Sequence, residues 1–115
     1  MDMPPEVKII TEIFLKEMLE ADDTKNFLLY TKRYEAKYLE GFTQERFSDD
    51  IDQMQMRNGK NKSYEFLATL RSAEIEGAEV FRSVWKGVYE KRDAVIEMAI
   101  YQKNGSWHLI QSSVH

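Results

Sequence analysis

The chain has no cysteine, only two prolines and five glycines in 115 residues, and no basic run. Without cysteine there is no disulfide, no thiolate metal site and no thiol nucleophile, so any catalysis must use oxygen or imidazole, and the redox compartment is left open. No apolar stretch approaches the ~20 residues that a membrane helix needs. The opening MDMPPEV also lacks the apolar segment of an export signal. As given, the chain reads as soluble and cytoplasmic; an exported protein stripped of its leader would read the same way. The net charge is -4, with both signs mixed along the chain, and the basic stripe of a nucleic-acid binder is missing. Neither a nucleic-acid nor a membrane partner is expected. Asp49, Asp50 and Asp52 diverge around a helix and lie outside any Gly-turned calcium loop, so they suit a helix start better than a metal. No metal or other cofactor is expected.

What is present is a core of ordinary composition, 43% hydrophobic and 12% aromatic, on a chain long enough for one domain over residues 1–115 that buries roughly two thirds of its unfolded surface. Pro4 and Pro5 suit a helix start, and Val7, Ile10, Phe14, Met18 and Ala21 form the stripe of a first helix. Ile9, Ile13, Leu15 and Leu19 widen it, which predicts cover on more than one side. Asp22, Asp23 and Thr24 offer caps for a second helix, whose stripe Phe27, Thr31, Tyr34, Tyr38 stops at Gly41. Thr43 caps a third, carrying Phe47, Ile51 and Met54 and closed by Asn58 and Gly59, with Ser48 as a rival start.

Beyond Gly59 the hydrophobic period changes from that of a helix to that of a strand, in four runs: YEFLATLRSAEI, EVFRSVWKGVYE, DAVIEMAIYQK and SWHLIQSSV. Asn104-Gly105 is a two-residue hairpin loop, placing Lys103 opposite Ser106, Tyr101 opposite His108, Ala99 opposite Ile110 and Glu97 opposite Ser112. A turn over Glu90 to Asp93 sets Tyr89 against Ala94, Trp85 against Met98 and Lys86 against Glu97. With Glu76-Gly77 as the first turn, Ala68 lies beside Trp85 and Leu70 beside Ser83. One face then carries Tyr64, Phe66, Trp85, Met98, Trp107 and Leu109 and must meet the helices. The other carries charged residues and an apolar patch of Val84, Val88, Val95, Ala99, Ile110 and Val114, which a monomer would leave wet.

Helices followed by a meandering antiparallel sheet make an α+β domain. The order of elements, with AEIEGAEVFRSVWKGVY and AVIEMAIYQKNGSWHLI, resembles the nuclear transport factor two-like, or cystatin-like, superfamily over most of the chain. That resemblance implies three N-terminal helices packed on a curved four-stranded antiparallel meander sheet, a cone whose open end often holds a small ligand. It also implies a homodimer through the outer sheet face, in agreement with the apolar patch. Arg82, Val84, Val95 and Ala99, with Tyr101, His108 and Ile110, are the candidate interface. Tyr30 and Tyr34 of the second helix, with Trp85, Met98, Trp107 and Gln111, are the candidate lining of a pocket.

Enzymes of the superfamily, such as ketosteroid isomerase and the SnoaL-like cyclases, use an inward carboxylate or histidine opposed to hydrogen-bond donors. That constellation is not evident in this sequence. The inner-face carboxylates are Glu74 and Glu79, opposite one another beside the first turn, where they are either a paired acid and base or two solvated side chains. His108 falls on the outer face, at the interface or the surface. The expected function is therefore a non-enzymatic homodimeric domain binding a small apolar ligand or a protein partner. The alternative is a cofactor-independent isomerase, dehydratase or hydrolase.

Overall fold

A computed structural model describes residues 3–115 and has the expected α+β architecture. Helix α1 (Pro5–Thr24) starts with proline in its first turn, where the missing N–H is harmless. It buries Val7, Thr11, Phe14, Met18 and Asp22 along one stripe. Cover does not extend around the helix, since Ile9 and Ile13 are exposed. Lys25 adopts a left-handed conformation (φ 52°) and closes α1 on the Ala21 carbonyl. Asp22, Asp23 and Thr24 thus belong to the last turn of α1, and Asn26 caps α2 (Phe27–Thr31) by accepting from the Leu29 amide at 3.1 Å.

The second helix is much shorter than its stripe predicts. After Thr31 the chain leaves the inner side of the sheet: the Arg33 carbonyl accepts the Leu109 amide at 2.9 Å, and Tyr34 forms a parallel bridge with Leu109. A 3-10 turn, Ala36–Tyr38, follows. Helix α3 (Gln44–Asn58) has the expected cap, with Thr43 Oγ1 accepting from the Arg46 amide at 3.1 Å, and buries Phe47, Ile51, Met54 and Asn58. It ends at Gly59, whose φ of 77° suits glycine; a Cβ there would lie 2.7 Å from Glu90 Cβ.

Strands β1 (Asn61–Ile75), β2 (Ala78–Tyr89), β3 (Asp93–Lys103) and β4 (Ser106–Val114) pair antiparallel in sequence order. The sheet is open, and the helices cover its inner face over a core containing Phe14, Leu15, Met18, Trp85, Ile96 and Ile100. At the hairpin tips the register is as expected: Lys103 opposite Ser106, Tyr101 opposite His108, and Glu74 opposite Glu79.

Farther from the tips it shifts. A bulge at Ile110 pairs Ala99 with Gln111 and Glu97 with Ser113. One extra residue reverses the faces that follow, so Ser112 and Val114 turn inward while Gln111 and Ser113 turn outward. Irregularities in β1 likewise pair Ala68 with Val84 and Leu70 with Arg82, moving both to the outer face. Between β2 and β3, Trp85 meets Ile96 and Lys86 meets Val95, two residues from the expected register and therefore on unchanged faces. The cause is a tighter turn tied to the end of α3, where the Lys91 amide donates to the Asn58 carbonyl at 2.8 Å and the Glu90 amide to that of Lys60 at 3.0 Å. Lys86 finds its opposite charge on β1 instead, 3.4 Å from Glu65.

Candidate functional site

A cleft of about 300 Å3 opens where α1 ends, between α2, α3 and the last residues of β4. Its apolar wall includes Tyr30, Phe42, Phe47, Ile51, Met54 and Val114. The Tyr30 and Phe47 ring centres are 4.7 Å apart, and Phe42 lies 5.9 Å from Tyr30 and nearly perpendicular to Phe47. Helix α3 supplies the largest share of this wall, α2 adds Tyr30, and Phe42 comes from the segment just before α3.

Asp22 also lines the cleft, projecting from the last turn of α1. The residue is only 5% exposed, and its Oδ1 is buried without a hydrogen-bond partner. Burial strips hydration from the charged form, and the adjacent Asp23 adds a like charge, so the carboxyl pKa is pushed up to about 8. At neutral pH Asp22 is therefore mostly protonated. It also borders a void of about 10 Å3 beside Tyr89, whose hydroxyl, like Asn58 Nδ2, is buried without a partner.

The neighbouring phenols are engaged. Tyr30 donates to the Ser112 carbonyl at 3.2 Å, and the Tyr34 hydroxyl shares a 2.7 Å hydrogen bond with Ser112 Oγ. Burial raises both phenol pKa values, keeping these groups neutral. Ser112 holds this place because the Ile110 bulge turns it inward, where the unshifted register would put Gln111.

Of the candidate pocket residues, Tyr30 lines the cleft and Tyr34 braces it. Trp85 and Met98 are sealed in the core, with the Trp85 indole N–H donating to Ser83 Oγ at 2.9 Å. Trp107 packs on Phe81, 5.9 Å between ring centres, away from the cleft. Gln111 faces outward and donates to Ser113 Oγ at 2.8 Å. Glu74 and Glu79 are both exposed at the first hairpin, and no cavity encloses the pair. Among the described residues no group of three or more His, Cys, Asp or Glu could hold a metal ion.

On the outer face Ala99 and Tyr101 are buried, packed by Tyr38, Ile75, Ala78 and Ile110 of the same chain. Glu35 accepts from the Tyr101 hydroxyl and from Lys103 at 3.0 Å, and the Tyr38 ring meets Tyr101 edge-on. Tyr38 is thus on the opposite side of the sheet from Tyr30. Val95 is exposed, and Arg82, Val84, His108 and Ile110 are half-buried.

Asp22 is absent from the sequence-based candidates because DDT reads as a helix cap. The signal that could find it is the stripe itself: positions 7, 11, 14 and 18 continue to 22 at helical spacing. A second groove, of about 460 Å3, lies between Met3, Pro4, Thr69 and Phe81, but its polar residues are exposed or half-buried and none converges on it from the core. No protein-family model matches the chain, and no curated protein matches it significantly.

Proposed function

We propose that this chain is a non-enzymatic, nuclear transport factor two-like binding domain that takes a small, largely apolar molecule into the Asp22 cleft. The supporting observation is the buried, partnerless carboxyl lining an aromatic cleft. A buried polar group without a partner destabilises the fold, so one retained beside an open cleft is a natural point of attachment for a ligand's polar end. The same reading includes the homodimer through the outer sheet face.

The second reading is proton transfer, favoured by the Asp22 pKa of about 8, which poises the group near neutrality. It ranks second because the phenols nearest the cleft already bond to Ser112 and are not free to stabilise an oxyanion.

A fragment screen read by backbone amide shifts tests the proposal. Bound aromatic fragments should shift Tyr30, Phe47, Ile51 and Ser112 together, with Kd values of about 1 mM or tighter. Fragments that map only to Met3 and Phe81, or to no site, would remove the cleft reading. Exchange of an α-proton of a bound ketone for deuterium, lost in Asp22→Asn, would favour the catalytic alternative.

A further inference from the structure

Resting on the reading of the cleft as the binding site, we infer that its ligand is a small organic ammonium ion, with Asp22 as counter-ion and Tyr30, Phe42 and Phe47 as the aromatic wall. Three observations converge on a cation.

The first is the charge inventory around Asp22. Asp23 follows it on α1; α2 and the segment after it present Tyr30 and Tyr34; α3 presents Asp50 and Arg57; Tyr89 comes from β2 and Lys60 follows α3. β4 contributes only Ser112 and Ser113 to the polar lining. Three of the nearby charges are occupied, Lys60 and Asp23 with each other at 3.9 Å and Asp50 with Arg46 at 3.4 Å. Arg57 is exposed in the last turn of α3, where water screens it. Among the described residues Asp22 has no ion pair and no hydrogen-bond partner for Oδ1. With Asp50 paired to Arg46 and Arg57 exposed to water, an ionised Asp22 would be the carboxylate of the cleft without a counter-ion among the described residues, a charge that a single cation balances.

The second is the wall. Half-buried Tyr30 and Phe42 line the cleft and pack on the buried Phe47 ring, 4.7 to 6.3 Å between ring centres. Such surfaces attract an ammonium group and discriminate poorly among neutral ones. The third is the protonation state. Burial and the adjacent Asp23 hold the carboxyl neutral at pH 7, so a cation that pairs with the charged form displaces its proton on entering the cleft. A neutral hydrogen-bond acceptor would require the opposite state, the protonated acid. The two ligand classes therefore have opposite pH dependence.

The experiment compares benzylamine with benzyl alcohol, similar in size and different in charge, by amide shifts and by calorimetry in two buffers of different ionisation enthalpy. Benzylamine affinity should rise about tenfold per pH unit between pH 6 and 7.5, tracking the ionised fraction of Asp22, with release of about one proton on binding. Benzyl alcohol should gain no affinity as pH rises and should release no proton on binding. Asp22→Asn should remove the pH dependence and weaken benzylamine at pH 8 by at least about tenfold, leaving benzyl alcohol within about threefold. Phe42→Leu, at a half-buried position, should weaken benzylamine about fivefold relative to the alcohol. Equal binding of both probes at every pH, or amine binding that weakens as pH rises, would overturn the ammonium assignment while leaving the cleft reading intact. Failure of both probes to shift Tyr30, Phe47 and Ser112 would overturn both.

Discussion

An aspartate in the interior has two ways to lower its energy: find a counter-charge or hold its proton. Asp22 takes the second, and its stability signature follows from the sign of the shift. The folded-state pKa of about 8 lies above the ordinary 3.8, so between those values the folded chain binds a proton that the unfolded chain has released. This ionisation component is therefore absent below about pH 4, and stability falls as pH rises toward 8, by up to about 1.4 kcal/mol per pH unit. In Asp22→Asn this component should vanish, so the variant should gain on wild type steadily from pH 5 to pH 8. Denaturant midpoints at pH 5, 6.5 and 8 measure the difference; parallel profiles would mean that Asp22 ionises normally in the fold.

At the scale of elements, the segment from Arg33 to Tyr38 does work that a continuous second helix could not. It covers the β4 edge through Leu109 and carries Tyr38 to the outer face. Its anchor is Arg33, whose guanidinium makes two 2.9 Å bonds to the Glu17 carboxylate and lies 4.8 Å from the Phe14 ring. Paired, hydrogen-bonded charges of this kind contribute about 1–3 kcal/mol. Arg33→Met should therefore lower the free energy of unfolding by about that amount and speed hydrogen exchange at the Leu109 amide, which the Arg33 carbonyl accepts. The Arg33 hydrogen bonds hold the Glu17 pKa below its ordinary 4.5. The pair's contribution is present above that value and lost as pH falls through the depressed one. An unchanged Leu109 exchange rate in the variant would show that the bridge stands without its anchor.

At the scale of the molecule, the outer face divides in two. One end is covered by Tyr38 and its neighbours, leaving the end around Val84, Val88 and Val95 for the proposed second copy. Lys86 on that face pairs with Glu65 of the same chain at 3.4 Å, and Glu97 is hydrogen-bonded to His115 at 2.8 Å, so each keeps a partner when the face is covered. Wild-type protein should scatter light as a dimer, and Val84→Lys or Val95→Lys should leave a folded monomer. A wild type already monomeric at high micromolar concentration would dispose of the interface.

Sequence by itself determined what is local. Caps at Thr43 and Gly59, the stripes of α1 and α3, the change of period beyond Gly59 and the loops at Glu76-Gly77 and Asn104-Gly105 all act within a few residues, and each stands where the chain predicts it. Tertiary structure decided whatever depends on distant partners. The bulge at Ile110 set Ser112 rather than Gln111 inward, the α3 end tightened the β2–β3 turn, and the β4 edge drew Tyr34 out of the second helix. Asp22 shows the same division: its position on the buried stripe is a property of the helix, whereas its lost hydration and missing counter-ion arise only when α2, α3 and β4 close around it.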